Sequence, residues 1–416
     1  MTSILRAHGL LALAAALATS CGDFPYAPEP YRIVHAETTA PTADLQATVM
    51  TVQVGDNPNN RFSVHHVRSP SLVDPARAVV LLPPVTNGFD FYELGAGGDY
   101  GLSLVGRLAR AGFDIWGYTT RAQSLPDGAC ERPGSDCSIA ADWGLQSIID
   151  DTAFIHQQIA AADPGRPAAS VRPIVGGVSL GSIAAGAVID AAPDDYAGAF
   201  LIEGSEYSDD AQVRQINQAF CSGIDSALVA GVVVDSETLS GFRSLALLAR
   251  VAPDSTSPSP RFANLSNRQA LVASLSNVTL SPLQPLLGFF ILAGDVRSGT
   301  FTYADEDMVQ AALATLPSYS AIRLLRDINC GLAGDRTFTG RLHDFRGAIF
   351  TEQDGHGFSA SVGALVDLTS ASSITRLAHP PYGHYDAVFA ATRDDEWPML
   401  SDWMAGVFAQ GAGARR

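Results

Sequence analysis

A serine near the middle of the chain stands in a motif that could carry nucleophilic chemistry. The motif has the form G-x-S-x-G over Gly177–Gly181, with Ser179 at its centre, and it follows the apolar run Ile174–Val178. The small residues Ser182–Ala187 come next and favour a helix. This order of strand, sharp turn and helix is the setting of a nucleophile elbow, which exposes the serine hydroxyl at the end of the strand. The motif alone fits an ordinary Gly/Ser turn equally well, so its partners must decide between the two.

A serine hydroxyl becomes an effective nucleophile only when a neighbouring base accepts its proton and an acid orients that base. With an elbow of this kind, the acid and then the histidine follow the serine along the chain, each after a late strand. Asp354 follows a predicted strand over Arg346–Thr351, and His384 follows one over Ile374–Leu377. The sequence therefore predicts a catalytic triad of Ser179, Asp354 and His384.

Three neighbouring residues are alternatives for these roles or could support them. Glu352 could replace Asp354 as the acid, although it is expected to be a strand-end residue that faces out of the site. His379 could replace His384 as the base, although it lies very close to the last predicted strand. Asp386 is expected to fix the histidine loop or to cap the following helix. No third ligand accompanies the two histidines, so we expect neither a metal nor an organic cofactor.

Alternation of apolar strands with amphipathic helices predicts the fold that positions these residues. A continuous apolar run predicts a strand buried on both faces over Ala78–Leu82, and further strands are predicted over Phe113–Tyr118 and Gly198–Ile202. Helical spacing of apolar residues predicts helices over Leu102–Ala111 and Trp143–Ala162. The fold class is therefore α/β, with a mostly parallel, doubly wound sheet.

The alternation of strands and helices stops between residues 205 and 345. Helix-like stretches with Pro and Ser breaks predict a helical cap there, inserted into an α/β core formed by residues 46–204 and 346–416. The apolar run Leu283–Leu292 could line an acyl pocket, or it could form the core of the cap itself.

The first 45 residues are predicted to lie outside the folded body. Residues 1–21 contain the apolar stretch Gly9–Ala18, which is too short to span a membrane and is typical of a signal peptide. The stretch Leu17–Cys21 is similar to a bacterial lipobox, which predicts lipid attachment at Cys21 and a membrane-anchored exported lipoprotein, periplasmic or at the cell surface. An ordinary cleaved signal with an incidental cysteine is the alternative. Residues 22–45, rich in Pro and Thr, are expected to form an extended tether.

Charge and cysteine content agree with export. The formal net charge of −17 and the pI near 4.8 argue against binding to nucleic acids or to anionic lipid heads. Four cysteines remain besides the lipobox cysteine, an even number that suits disulfides in an oxidising compartment. Cys130 and Cys137 flank a short polar loop and are expected to pair, which leaves Cys221 to pair with Cys330.

Several segments resemble the acid-lipase-like members of the α/β-hydrolase superfamily. Ala111–Gly117 with Thr120–Arg121 is similar to the group's "AGYDVW" strand and "SRG" turn, Asp142–Trp143 with Asp150–Asp151 resembles the helix before the elbow, and His384–Phe389 resembles the "HLDF" histidine segment. The similarity spans residues 79–202 and 347–408. It departs from the group at Val178, where His or Tyr is common, and at Pro83-Pro84, where His-Gly is usual. The resemblance implies the α/β-hydrolase fold and hydrolysis of carboxylic esters.

Hydrolysis of this kind needs two backbone N–H groups that stabilise the oxyanion of the tetrahedral intermediate. The N–H of Leu180 would supply one, and the loop after the first buried strand would supply the other. Proline has no N–H, so Pro83 and Pro84 cannot donate, and Val85 or Thr86 must, with Val85 slightly favoured. In the alternative, the prolines distort this loop and the enzyme is slow or inactive.

The sequence thus predicts a serine hydrolase that cleaves carboxylic esters, of lipase or esterase type, through an acyl-enzyme intermediate. Its expected substrate is a small-molecule or lipid ester, and its expected contact with the membrane is the N-terminal lipid. Acyl transfer to an acceptor other than water is a variant of the same chemistry. The alternative from another class is a non-catalytic surface lipoprotein that uses the hydrolase fold as a binding module.

Overall fold

A computed structural model describes most of the chain beyond the predicted signal peptide. The described residues are 30–72, 76–131, 136–162, 167, 170–276, 291–356, 359–390 and 396–413. The strands are β1 (Tyr31–Thr42), β2 (Leu45–Val54), β3 (Arg61–Arg68), β4 (Ala78–Leu82), β5 (Asp114–Thr119), β6 (Ile174–Val178), β7 (Gly198–Ile202), β8 (Val234–Asp235), β9 (Gly294–Asp295), β10 (Thr300–Phe301), β11 (Ser320–Ala321), β12 (Ala348–His356) and β13 (Ser373–Gly383). The helices are α1 (Leu104–Arg110), α2 (Leu145–Ala162), α3 (Leu180–Ala191), α4 (Ala211–Val229), α5 (Glu237–Val251), α6 (Asn267–Ser276), α7 (Glu306–Ala314), α8 (Ile322–Leu332), α9 (Ser359–Val366), α10 (Asp386–Phe389) and α11 (Glu396–Gly413). The predicted signal peptide and Cys21 lie outside the described residues.

Nine strands form one mostly parallel sheet, in the order β1-β2-β3-β5-β4-β6-β7-β12-β13. The six strands from β5 to β13 in this order are mutually parallel. The first three are antiparallel to their neighbours. Because parallel strands place their carboxyl ends at one edge, the segments that follow β4, β6, β7, β12 and β13 meet at that edge.

The central strands are buried on both faces. In β4, Val79 and Leu81 belong to one hydrophobic core, together with residues of α1 and α11, whereas Val80 and Leu82 belong to a second core with residues of α2 and α3. Successive side chains of a strand point to opposite faces, so both sets must be apolar when helices cover both faces. This explains the continuous apolar runs, and the doubly wound α/β fold predicted from the sequence is confirmed.

The N-terminal part differs from the expected tether of residues 22–45. Most of its described part forms β1, which pairs with β2 along the edge of the sheet. Pro41 is tolerated there because one side of an edge strand needs no backbone donors. The strand is anchored by Tyr31, whose ring stacks on Phe154 at 4.9 Å between centroids and whose hydroxyl donates to Asp151.

Between β7 and β12 the described chain is mainly helical, from α4 to α8. A disulfide between Cys221 and Cys330 joins α4 to α8, and a second one, between Cys130 and Cys137, closes a loop of the α/β part. Two short ladders, β8 with β11 and β9 with β10, also lie in this region. Strands of two residues have no periodicity that a sequence could reveal. No helix among the described residues is long and apolar enough to cross a membrane.

Glu206 is a buried carboxyl group at the start of this helical segment. It is 1% exposed, and neither of its carboxyl oxygens has a hydrogen-bond partner within the described part of the chain. A Cβ on Gly186 of α3 would lie 3.1 Å from its Oε1, and one on Gly331 of α8 would lie 2.6 Å from its carbonyl oxygen. Burial raises the pKa of Glu206 from 4.5 to about 8. The side chain is therefore protonated in the folded protein at neutral pH.

We expect Glu206→Gln to remove the decrease in the free energy of unfolding that Glu206 causes as the pH rises from 4.5 to about 8. Between pH 4.5 and about 8 the folded protein keeps a proton on Glu206 that the unfolded chain has lost. The free energy of unfolding therefore falls across this window, by about 1.4 kcal/mol per pH unit from this group. Urea unfolding of both proteins at pH 5, 7 and 9 measures it, and the stability of the variant relative to wild type should rise from pH 5 to pH 9. A difference that stays constant with pH contradicts the prediction.

Candidate active site

Ser179 occupies a sharp turn between β6 and α3. Its backbone, with φ 59° and ψ −120°, lies in a region that non-glycine residues rarely adopt. Two glycines permit the turn, because a Cβ on Gly177 or Gly181 would lie 2.3 or 2.0 Å from the carbonyl oxygen of Leu82. Leu180 opens α3, so its N–H has no acceptor within the helix. This is the geometry of a nucleophile elbow.

The side chain of Ser179 lies beside the hydroxyl of Tyr385. Burial raises the pKa of the Tyr385 hydroxyl, and hydrogen bonds with Thr86 and Ser179 oppose that shift. The Thr86 and Tyr385 oxygens are 2.9 Å apart. The Tyr385 ring stacks on the His384 imidazole, with 4.7 Å between centroids. Tyr385, which the sequence motifs do not single out, therefore links the predicted nucleophile to the predicted base.

His384 lies directly after β13 and is 4% exposed. Its Nδ1 is 3.5 Å from Oε2 of Glu203, the residue that follows β7. The other oxygen of Glu203 accepts the backbone N–H of Asp354 at 2.6 Å. Asp354 is fully buried and belongs to the end of β12, whereas the sequence places it in the loop after a strand that ends at Thr351. The structure thus places two carboxylates, Glu203 and Asp354, at the strand ends beside the histidine segment.

The sequence motifs do not identify Glu203 as a site residue, although the sequence contains a signal for it. It follows the apolar run Gly198–Ile202 directly, which is the pattern that identifies Asp354 after its own strand. Glu203 lies next to the predicted boundary with the helical insertion near residue 205. The pattern therefore assigns it to the loop that leads into the insertion.

The alternative acid and base lie next to each other. Glu352 and His379 are on the neighbouring strands β12 and β13, with Oε1 of the glutamate 4.0 Å from Nε2 of the histidine. The imidazole of His379 stacks on the ring of Tyr382, with 4.8 Å between centroids. Glu352 is buried, with 2% of its surface exposed. Glu352 and His379 therefore contact each other across β12 and β13, and β13 leads to His384.

Asp386 fixes the histidine segment. One of its carboxylate oxygens accepts the backbone N–H groups of Gly383 and Ala293, at 2.8 and 2.7 Å. A further bond runs from the N–H of Tyr385 to the carbonyl of Ile291, at 2.7 Å. The residues around His384 are therefore tied both to each other and to the inserted region, which agrees with the role predicted for Asp386.

Gln123 holds the loop that follows β4. Its amide nitrogen donates to the carbonyl oxygens of Pro84, Val85 and Asn87, at 2.9, 3.3 and 2.6 Å. Its amide oxygen accepts the N–H and the hydroxyl of Thr120. In a planar trans peptide the C=O and the next N–H point in opposite directions. The N–H groups of Val85 and of the residue after it, Thr86, therefore point away from Gln123.

Comparison with known proteins agrees with this architecture. No protein-family model and no curated protein matches the sequence. Among solved structures, the chain resembles a putative lipase from Sulfolobus solfataricus with a TM-score of 0.63 and 20% identity, over 91% of this chain and 99% of the other. The protein has the α/β-hydrolase fold. Carboxylesterases linked to the thaumarchaeon Nitrososphaera gargenis match at a TM-score of 0.44 and 12% identity, over 85% of this chain and 98% of theirs.

In this α/β-hydrolase fold an apolar cavity lies beside Tyr385. Its volume is about 30 Å³. Thr86 and Tyr385 form part of its wall, and apolar side chains of α5, α6 and α7 form most of the rest, among them Phe242 and Leu313. Two residues of the apolar run Leu283–Leu292, Ile291 and Leu292, also line it. Residues 277–290 lie outside the described chain.

One group of potential metal ligands lies elsewhere in the described part of the hydrolase fold. Cys221, Asp225 and Cys330 have ligand atoms within 4.8 Å of one another. The two sulfurs form a disulfide and so are not thiolates, which are the form that binds metals. This group therefore does not fit a metal ion.

Proposed function

We propose that the protein is a serine hydrolase of carboxylic esters, in which Ser179 is the nucleophile, His384 the base and Asp354 the acid that orients it. The observation that carries the proposal is the strained turn at Ser179. That turn presents the hydroxyl at the carboxyl edge of the sheet, in contact with the residue that stacks on His384. A backbone held in a rarely populated conformation is a feature of functional sites. The similarity of fold to a lipase-like protein is consistent with the proposal.

In the proposed reaction, Ser179 Oγ attacks the ester carbonyl carbon while His384 accepts the hydroxyl proton through Nε2. The N–H groups of Leu180 and Val85, with Thr86 as the alternative to Val85, bind the oxyanion. When the C–O bond breaks, His384 returns the proton to the leaving alkoxide and the acyl group remains on Ser179. Water, deprotonated by His384, then releases the carboxylic acid and regenerates the serine. Every step uses only groups of this chain and the two substrates, which are the ester and water.

Labelling with a fluorophosphonate tests the proposal directly, because such reagents phosphonylate an activated serine. We expect one adduct, located on the peptide that contains Ser179 by mass spectrometry. Heat-denatured protein is the control and should not react. A folded protein that is not labelled would instead support a non-catalytic binding module.

The cavity beside Tyr385 is the proposed site of the acyl chain. Its walls are almost entirely apolar, which suits a hydrocarbon chain and disfavours charged acyl groups. A volume of about 30 Å³ is small, on the scale of one or two water molecules. We therefore propose a preference for short acyl chains, such as acetyl or butyryl esters, over long ones.

Phe242→Ala should shift this preference toward longer chains. Phe242 is 4% exposed, and its ring forms part of the cavity wall. Removing the ring makes room for further methylene groups, each worth about 0.8 kcal/mol or roughly fourfold in kcat/KM. The measurement is kcat/KM for p-nitrophenyl esters from C2 to C12. Leu247→Ala, at an exposed position on the same helix, is the control. An unchanged length profile in the Phe242 variant would place the acyl chain elsewhere.

Export of the protein is also proposed. Two disulfides in the described chain suit an oxidising compartment. Lipid attachment at Cys21 stays a prediction from the sequence.

A further inference from the structure

Glu203 is a buried carboxylate that lies beside His384. It is 0% exposed. Its Oε1 accepts the N–H of Asp354 at 2.6 Å, and its Oε2 lies 3.5 Å from Nδ1 of His384. One side chain thus contacts both the acid and the base of the proposed triad.

The backbone of Glu203 is held in a strained conformation. Among the described residues, Ser179 and Glu203 are the two non-glycine residues with positive φ, at 59° and 55°. A conformation of this kind costs on the order of 1 kcal/mol for a residue with a Cβ, and it persists only where the surroundings enforce it. The strain in this chain therefore falls on the proposed nucleophile and on this glutamate.

Contacts with the elbow enforce that conformation. The N–H of Ser179 donates to the carbonyl of Ile202 at 2.9 Å, and the hydroxyl of Ser182 donates to the carbonyl of Gly204 at 2.6 Å. A Cβ on Gly204 would lie 2.0 Å from the carbonyl oxygen of Ser179, so only glycine allows this approach. The residues on both sides of Glu203 are thus clamped to the turn that carries the nucleophile.

The position of Glu203 has a chemical consequence for His384. A carboxylate beside Nδ1 selects the tautomer with its proton on Nδ1, which leaves Nε2 to accept the serine proton. It also stabilises the imidazolium that forms during each transfer, and it does so in a site with little solvent. Burial of a carboxylate away from water is unfavourable, and its contacts with the N–H of Asp354 and the imidazole of His384 offset that cost.

We infer that Glu203 is a second positioning carboxylate for His384, acting together with Asp354. One of its oxygens fixes the end of β12 that carries Asp354, and the other holds the imidazole. The inference rests on the proposed function, since it assigns Glu203 a part in the proton transfer of that reaction.

Glu203→Gln tests the inference, with Glu206→Gln as the matched control. Both glutamates are buried, lie three residues apart and undergo the same isosteric change, but Glu206 contacts α3 and α8 instead of His384. We expect kcat for p-nitrophenyl butyrate to fall about 10- to 100-fold in the Glu203 variant, because the negative charge beside the imidazolium that forms during proton transfer is lost. KM should stay within twofold of wild type, and the control should keep wild-type kcat.

A second measurement detects the contact between Glu203 and His384 and does not depend on catalysis. The Nδ1 proton of an imidazole beside a carboxylate gives a strongly downfield proton NMR signal, which His384→Ala assigns by removing it. In Glu203→Gln this signal should move upfield, and in Glu206→Gln it should stay. If Glu203→Gln does not fold, Glu203→Asp keeps the charge but withdraws it from Nδ1, and it should shift the signal in the same direction.

The two readouts separate the possible failures. Wild-type protein that neither hydrolyses esters nor reacts with a fluorophosphonate would overturn the proposed function, while the NMR signal would still report on the contact. A Glu203 variant with the kcat and the downfield signal of wild type would overturn the inference alone.

Discussion

Ser179→Ala should lower kcat for p-nitrophenyl butyrate by about 10⁴-fold or more. Alanine cannot form the acyl-enzyme, so only substrate binding and the oxyanion donors would contribute to the remaining rate. The substitution removes one oxygen from a residue that is 8% exposed, and its contact with Tyr385 is the main interaction lost. Positive φ disfavours alanine as it does serine, so the melting temperature should change by only a few degrees.

The control is Ser222→Ala, which makes the same change at an exposed position on α4 and should leave kcat unchanged. His384→Ala should lose activity to a similar extent, because residues that act as a unit give non-additive losses. His379→Ala should keep most of it. Wild-type turnover in Ser179→Ala would remove this serine from the mechanism, and a large loss in His379→Ala with little in His384→Ala would exchange the two histidines.

Patterns confined to a short stretch of chain were predictable from the sequence. Apolar runs give the central strands of the parallel sheet because these strands are buried on both faces, as the two cores around β4 show. The elbow was predictable for a related reason: its serine and both glycines lie within five consecutive residues, although the approach that requires the glycines is to the carbonyl of Leu82 on β4. Both features leave a recognisable pattern in a short stretch of sequence, whichever distant residues they contact.

Contacts between distant segments were not predictable. Glu203 approaches His384 across 181 positions of sequence, and Gln123 reaches the proline-containing loop across 36 to 39. No spacing rule relates such residues, since the folded sheet alone brings them together. β1 was missed for another reason. The prolines of residues 22–45, of which only Pro41 lies in β1, resemble a tether, and the pairing of β1 with β2 depends on an edge that only the assembled sheet provides.

The role of Gln123 leads to the second large effect that we expect. Gln123→Glu should reduce kcat about 10²- to 10³-fold, the usual loss when an oxyanion donor is removed. The variant keeps the acceptor for Thr120, but a carboxylate cannot donate to the carbonyls of Pro84, Val85 and Asn87 and repels them. The loop would then lose the orientation that points the N–H groups of Val85 and Thr86 away from residue 123.

Because the oxyanion forms only in the transition state, KM should change much less than kcat. The rate of phosphonylation by a fluorophosphonate should fall in parallel, since that reaction also passes through an oxyanion on the same donors. Gln157→Glu, an exposed position on α2, makes the same change in charge and should leave both rates unaltered. Gln123→Met, which removes the amide without adding charge, should fall between wild type and the glutamate variant. If both Gln123 variants retain kcat within threefold of wild type, the loop holds its donors without this residue, and the prolines that fix its backbone would suffice.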